Sequence, residues 1–502
     1  VSRGALAQMQ VAATDQGVTR AGLELASERV VVSIDRQHAS STLTYEYKNR
    51  TGTTVEGLFR FRAGDGANVD GFSYWNGNQK IVGEVLERQA AKAIYESTTQ
   101  RRRDPGLLEK TAEGTFSFRV FPIQNDERKR VEIKVDQWLE RRSRVVELRL
   151  PLTRENAEIE VSITDDRPIR RRHAEEEEVV GPDLLADRPS KELVLQYELG
   201  DGHFQPMAWV HRDTEHNGYF LLTLAAPKVS TELSQDLTLV VDGSSTEAGA
   251  LSRKAAAFLV TKARAADRLN VIVAGSDFRP RKLADRPVWV TEAARKEALG
   301  LLSERPGASA DVATALKAAF AAQEGTGRNR TVVLLSGTIP SGRDLLATLR
   351  DNAGKEGGTR VFTVGFGDNV DRAAFNVLAA ESRGRFVLVE SASALRERVS
   401  RLAQQIAAPV LVDVSIEVDG GEIAQLYPRT IPDLYQEQEI RVSGRIRGTG
   451  KVKLSVRGRA GKEVRLVTSV DLPQVVRRPF VAKLWGRERI AHLLEDIALF
   501  GE

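Results

Sequence analysis

The sequence predicts a multidomain α/β plus all-β protein: a Rossmann-like doubly wound domain flanked by a β-sandwich-like region before it and a trailing β region after it. Three observations predict this. Residues 22–150 alternate apolar and polar side chains in short runs, residues 235–408 alternate apolar strands with helical repeats, and the strand pattern returns beyond 408. The divisions that follow are an extension at 1–21, a first β domain at 22–150 and a strand-rich connecting region at 151–234. After them come the α/β domain at 235–408, a β region at 409–475 and a helical segment at 476–502.

In the first domain Val30 to Ile34 and Ser41 to Tyr47 carry the strand period, and turns at 49–52 and 64–66 punctuate it. One helix is expected at 84–99, where Val85, Leu86, Ala90, Ala93 and Ile94 recur at helical spacing. Further strands fill 150–230 around Arg170-Arg171-Arg172-His173 and Glu175 to Glu178, a pair of opposite charge blocks read as a solvated loop. In the α/β domain, strands fit 237–242, 269–275, 331–336, 360–365 and 385–389. Helices fit 248–265, 310–323, 342–351, 370–381 and 392–407. Continuously apolar runs such as Val332 to Leu335 belong inside a parallel sheet covered on both faces. Strands at 411–418 and 452–456 and an amphipathic helix at 483–498 complete the chain. The strand-rich segments 150–230 and 408–475 are expected to pair with one another, each being short for an independent core. Trp75, Trp138 and Trp209 read as core or interface anchors.

Composition narrows the function. The 502 residues carry 73 Lys+Arg against 69 Asp+Glu, and a formal charge of +4 is too small to imply nucleic-acid binding by bulk electrostatics. With no Cys, disulfides, zinc thiolates and cysteine nucleophiles are excluded together. No apolar run reaches the roughly 20 residues of a membrane-spanning helix, so a soluble chain is expected. It opens on Val, which suggests a processed or partial product; Ala5-Leu6-Ala7 has a signal-peptidase look, but an ordinary Ala-rich terminus is the preferred reading. Gly-x-Ser-x-Gly, P-loop, His-Glu-x-x-His and Ser-x-x-Lys motifs are absent, and no catalytic residues are assigned.

The most informative stretch is Leu237 to Gly249, an apolar strand that delivers Asp242, Ser244 and Thr246 into a loop before a helix. A tight turn there aims three oxygens at one hard cation, Mg2+ or Ca2+. Arg101, Arg102 and Arg103 form a short basic cluster that suits an anionic group, against the plainer reading of a solvated turn. His203, His211 and His216, with Asp213 and Glu215, match no standard ligand spacing and read as polar residues on exposed strand edges. Gly365 and Gly367 lack the rest of a dinucleotide fingerprint.

The stretches Asp242–Gly249, Asp267–Val273, Val361–Asp368 and Gly384–Phe386 resemble, in order and spacing, a von Willebrand factor type A domain. Upstream, Val82–Ala90, Ile94–Glu96, Asp104–Glu109 and Phe116–Ile123 resemble a VIT domain, the module of vault proteins and inter-α-trypsin inhibitor heavy chains. The pair, with Leu484–Ala491, resembles bacterial proteins of this combined type, which implies an exported chain that is periplasmic, cell-surface or extracellular. The resemblance also implies a metal site built from three loops. Its second loop normally supplies a Thr where Ala310 stands, with Ser309 or Asp311 as substitutes, and its third an Asp where Gly337 stands. Two readings follow: a weak or altered site for Mg2+ or Ca2+ with Asp242, Ser244, Thr246 and Ser309 as ligands, or a vestigial loop whose polar groups bond local backbone amides. The expected function is non-enzymatic protein binding and adhesion at the cell envelope or exterior, or else a self-assembling scaffold with no metal dependence.

Overall fold

The computed structural model describes residues 8–15, 18–20, 22–62, 67–86, 107–112, 115–139, 141–142, 145–154, 156–164, 169–173, 176–180, 183–184, 192–198, 206–213, 218–226, 233–275, 279–304, 307–323, 328–339, 358–367, 370–407, 409–436, 438–473 and 475–500. The chain divides into two compact units, Val1–Asp201 and Gly202–Glu502, with the division inside the 151–234 segment.

The first unit is a β-sandwich. Strand Leu23–Asp35 buries Val30, Val32 and Ile34 on one face, the period-2 pattern of a half-buried strand, and pairs antiparallel with His38–Asn49. Arg128–Trp138, Ala67–Asn76 and Gln79–Leu86 extend this half, while Val55–Arg62, Thr115–Ile123 and Leu107–Ala112 form the other. Gln79–Leu86 joins the halves by pairing parallel with Leu107–Ala112. The halves meet through aromatic rings: Phe118 lies 3.8 Å from Phe72 and 4.9 Å from Phe59, which in turn is 5.4 Å from Tyr47. Asn49 ties the corner, its amide donating to Thr53 O, Ile123 O and Gln124 O. Glu158–Thr164 adds a parallel strand beside Leu23–Asp35, with Asp183–Leu184 paired outside it. The buried Glu28 carboxylate accepts from Thr153 N and Arg154 N at 3.1 and 2.8 Å, and burial raises its pKa against those two bonds.

Two expectations for this unit change. Residues 84–86 end a strand rather than begin a helix, and the remainder of the expected 84–99 helix lies outside the described residues. The charge blocks form a hairpin, Ile169–His173 with Glu176–Val180, whose register sets Arg171 opposite Glu178 and Arg172 opposite Glu177. The segment read as a loop is therefore a strand pair. Trp75 is half-buried, with Arg130 4.2 Å and Lys80 4.8 Å from its ring, and Trp138 is also only half-buried.

The second unit holds the α/β layers. The parallel order is Arg268–Ala274, Gln235–Asp242, Asn329–Ser336, Arg360–Phe366, Phe386–Val389. Every residue of Gln235–Asp242 is buried: Leu237, Leu239 and Val241 face the core shared with helices Glu247–Lys262, Glu292–Ser303 and Ala392–Ala407, and Val240 faces Val312–Gln323. Side-chain oxygens cap four of the helices, Thr246 to Gly249 N, Thr291 to Ala294 N, Asp311 to Thr314 N and Asp371 to Ala374 N. Helix Glu292–Ser303 is not among the expected ones, and the expected 342–351 helix lies outside the described residues.

Strands Pro409–Tyr427 and Glu439–Ala460 run far longer than their sequence pattern suggests. They pair through three register shifts, and the residues with left-handed φ, Asp413, Gly420 and Gln425, sit at those shifts. Such bulges bend a long pair so that it closes over its own core. Lys462–Leu472 joins through a hairpin. The expected pairing of 150–230 with 408–475 holds in its last part: Pro206–Arg212 pairs with Gly218–Ala225, which pairs with Glu439–Ala460, whereas 145–164 and 169–198 belong to the first unit's sheets. Trp209 is buried here, 1% exposed. Helix Pro479–Phe500 crosses the outer face, and Trp485 Nε1 donates to the Gln425 carbonyl at 3.0 Å.

Candidate functional site

The carboxyl ends of the parallel strands gather the loops after Gln235–Asp242, before Val312–Gln323 and after Asn329–Ser336. Asp242 ends its strand 5% exposed, with Oδ1 accepting from Ser244 N at 2.9 Å and Oδ2 lying 3.4 Å from Ser336 Oγ. Gly243 allows the turn, because a Cβ there would lie 2.4 Å from Ala274 O. Ser244 Oγ and Thr246 Oγ1 share a hydrogen bond of 2.7 Å, and Thr246 Oγ1 accepts from Gly249 N at 3.0 Å. The three predicted oxygen residues are therefore brought together and are bonded to one another and to the start of the helix. Thr246→Ala should lower stability by about 0.5–2 kcal/mol through loss of this cap, read by chemical denaturation.

The second loop is pinned to the first by Ser245 N to Gly307 O at 2.8 Å and Gly307 N to Gly243 O at 2.9 Å. Ser309 is exposed. Ala310 packs against the core at the position where Thr was expected, and Asp311 is occupied as a helix cap, accepting from Thr314 N at 3.1 Å. In the third loop Ser336 Oγ donates to Thr338 O at 2.8 Å.

Three residues outside the sequence reading shape this site. A Cβ on Gly337 would meet Ala248 Cβ at 2.4 Å, so the Ala248 methyl fills the space through which a side chain at 337 would enter. Arg253 donates to Ser244 O at 2.6 Å, placing a guanidinium at the base of the first loop. Ser336 Oγ lies 3.4 Å from the second Asp242 oxygen while its hydrogen goes to Thr338 O at 2.8 Å. The donor set thus holds one carboxylate, whereas a hard divalent cation is held by about six oxygens with carboxylates compensating its charge. Among the described residues no group of three or more His, Asp or Glu is arranged to hold a metal ion.

The other candidates separate. Arg101, Arg102 and Arg103 lie outside the described residues, as do His203, His216 and Glu215. His211 is 9% exposed rather than on an open edge, its Nδ1 3.1 Å from Arg478 N. Gly365 lies within strand Arg360–Phe366, opposite Leu388, and Gly367 begins the turn after it at φ +97°.

Comparison with known proteins gives two family matches: the vault protein inter-alpha-trypsin domain over residues 25–135 and the von Willebrand factor type A domain over residues 235–388. Inter-alpha-trypsin inhibitor heavy chain H3 of Mus musculus is 21% identical over 530 residues, covering 94% of this chain and 59% of its own. A von Willebrand factor A domain-containing protein of Dictyostelium discoideum is 20% identical, covering 87% of this chain and 51% of its own. The chain therefore spans between half and three fifths of the length of these relatives. Among solved structures, a von Willebrand factor type A protein from Catenulispora acidiphila aligns with TM-score 0.44 at 11% identity, over 54% of this chain and 73% of that one. The pilus adhesin SpaC from Lactobacillus rhamnosus GG aligns with TM-score 0.30 at 12% identity, over 53% of this chain and 47% of that one. Among the described residues no helix is long and apolar enough to cross a membrane.

Proposed function

We propose that this chain, which carries a VIT domain followed by a von Willebrand factor type A domain, is a non-enzymatic protein-binding protein of adhesion or assembly type that engages its partner without a resident cation. The observation that carries this reading is the pairing of Ala248 with Gly337. A methyl group stands where the second carboxylate of a cation site would enter, and one Asp242 oxygen accepts from Ser244 N. Recognition then falls to the loops themselves, where Ser245, Thr246 and Glu247 are exposed beside a buried, hydrogen-bonded base. Loops held by a rigid parallel sheet are a usual place for binding groups.

The chain is proposed to act outside the cytoplasm, at the cell surface, in the periplasm or in the medium, in keeping with the relatives' domain pairing. The same features favour a protein partner over nucleic acid, since the formal charge is only +4.

The test is capture of partner proteins from an envelope extract on the immobilised full chain. The same bands are expected with Mg2+ and with EDTA, and with Asp242→Ala, and they should be lost with Ser245→Arg/Glu247→Arg. Loss of the bands in EDTA, with retention by the Ser245→Arg/Glu247→Arg variant, would contradict the proposal.

A further inference from the structure

Lys129 is among the largest fully buried side chains of the first unit, 1% exposed. It points inward because it continues the buried face of Arg128–Trp138, two residues before Val131 and four before Ile133, both 0% exposed. Tyr47 stands opposite it on one neighbouring strand. On the other, the antiparallel register that sets Val131 opposite Tyr74 sets Lys129 opposite Asn76 when carried two residues further. Lys129 Nζ donates to Asn76 Oδ1 at 2.8 Å and lies 2.6 Å from Glu127 Oε1. Glu127 is fixed through its other oxygen, where Oε2 accepts from Gln124 N at 2.7 Å. A buried ammonium needs a carboxylate, and Glu127 supplies it; the second contact adds a reactive carbon, since Asn76 Cγ is one bond from the oxygen that Nζ touches.

We propose that Lys129 and Asn76 are the site of an intramolecular isopeptide bond, formed by the folded chain itself. A primary amine, a carboxamide and a carboxylate at hydrogen-bond distance are the nucleophile, the acyl carbon and the proton carrier of such a transfer, and the sandwich holds all three in one geometry. Glu127 takes a proton from Nζ, whose lone pair then forms the bond to Asn76 Cγ. Glu127 returns that proton to Asn76 Nδ2, the Cγ–Nδ2 bond breaks and ammonia leaves. The second Nζ proton follows through Glu127 to the ammonia, so that ammonium is released and the carboxylate is restored. Nothing is oxidised or reduced. Asn76 opens the turn to Gln79, in which Gly77, Asn78 and Gln79 are exposed, and the leaving group therefore has a short way to solvent. The bond ties Ala67–Asn76 to Arg128–Trp138 between residues 53 apart in sequence, which closes a long loop and braces the sandwich. The site lies in the first unit and does not depend on the loops assigned to partner binding.

Mass spectrometry of the purified full chain tests it. The intact mass is expected to fall below the sequence mass by one ammonia, and trypsin should release residues 63–80 joined through Asn76 to Lys129-Arg130. Asn76 precedes Gly77, and an Asn-Gly pair also loses ammonia by closing onto the next backbone nitrogen, so the joined peptide and the variants decide between the two. Lys129→Met and Glu127→Gln should keep their full mass, whereas Asn76→Asp should reach the same linked product by losing water. Thermal unfolding of the two unlinked variants should begin several degrees below that of the linked chain. A wild-type chain at its full sequence mass, an ammonia loss that persists in Lys129→Met, or a digest without the joined peptide would overturn the proposal. The first and last of these are read on the wild-type chain and hold whether or not a variant folds.

Discussion

Asp433→Ala should cost the second unit about 3–5 kcal/mol, the effect of taking from a buried guanidinium the fully buried one of its two carboxylates. Arg360 opens a central parallel strand with its side chain 2% exposed, and Asp433, on the loop after Pro409–Tyr427, is 0% exposed. Arg360 Nε donates to Asp433, its Nη2 donates to Asp413 at 2.6 Å and its Nη1 to Gly358 O at 2.6 Å. Asp433 also accepts from Asp413 N at 2.9 Å, and Arg459 bridges Asp413 at 3.1 Å to Asn329 at 2.9 Å. This network joins the α/β sheet to the trailing β strands, so the two layers should unfold together. Denaturant unfolding of wild type and variant reads the difference. Arg360→Met/Asp433→Leu should lose much less than Asp433→Ala, because it leaves no charge unpaired. Equal losses would show that packing rather than charge holds the junction. Burial tends to raise the Asp413 pKa, but the Arg360 and Arg459 guanidiniums outweigh it and hold the carboxyl below its ordinary range. A lowered folded-state pKa gives stability that is present above the unfolded value of about 4 and lost as pH falls through the folded one. The Asp413 contribution should therefore be lost only in strongly acidic solution, whereas burial raises the Asp433 pKa above its ordinary value.

Phe118→Ala should destabilise the first unit by about 3–5 kcal/mol. Phe118 is 2% exposed and touches rings from both halves of the sandwich, Phe72 at 3.8 Å and Phe59 at 4.9 Å. Its removal leaves a cavity between two sheets whose backbone pairing prevents collapse. Val82→Ala, at a position 69% exposed, is the control and should stay within about 0.5 kcal/mol. Circular dichroism during urea unfolding distinguishes them, and a loss from Phe118→Ala no larger than the control would refute the sandwich core.

The parallel strands were legible because their runs are apolar at every position, as in Val332 to Leu335, a pattern confined to sheets covered on both faces. Helix Glu292–Ser303 was harder to read: its buried positions are Ala294, Ala298 and Leu302, two of them small, among charged neighbours. The Arg170–Glu178 blocks carry no sign of which strand faces which, so a hairpin and a loop look alike in one dimension. The three bulges depend on left-handed φ at Asp413, Gly420 and Gln425, and only the glycine advertises that conformation. For the site, Asp242, Ser244 and Thr246 announce themselves by spacing. The Ala248–Gly337 contact joins residues from two different loops, and a lone Ala gives no local signal that it fills another loop's space.

The central claim is that the Asp242 cluster is a hydrogen-bonded loop and not a cation site. Isothermal titration of the full chain with Mg2+ and Mn2+, with parallel thermal unfolding, tests it directly. Wild type should show no saturable heat and no shift, whereas Ala248→Gly/Gly337→Asp, which opens the space and supplies a second carboxylate, should gain both. Saturable binding by the wild-type chain that disappears with Asp242→Ala would contradict the account.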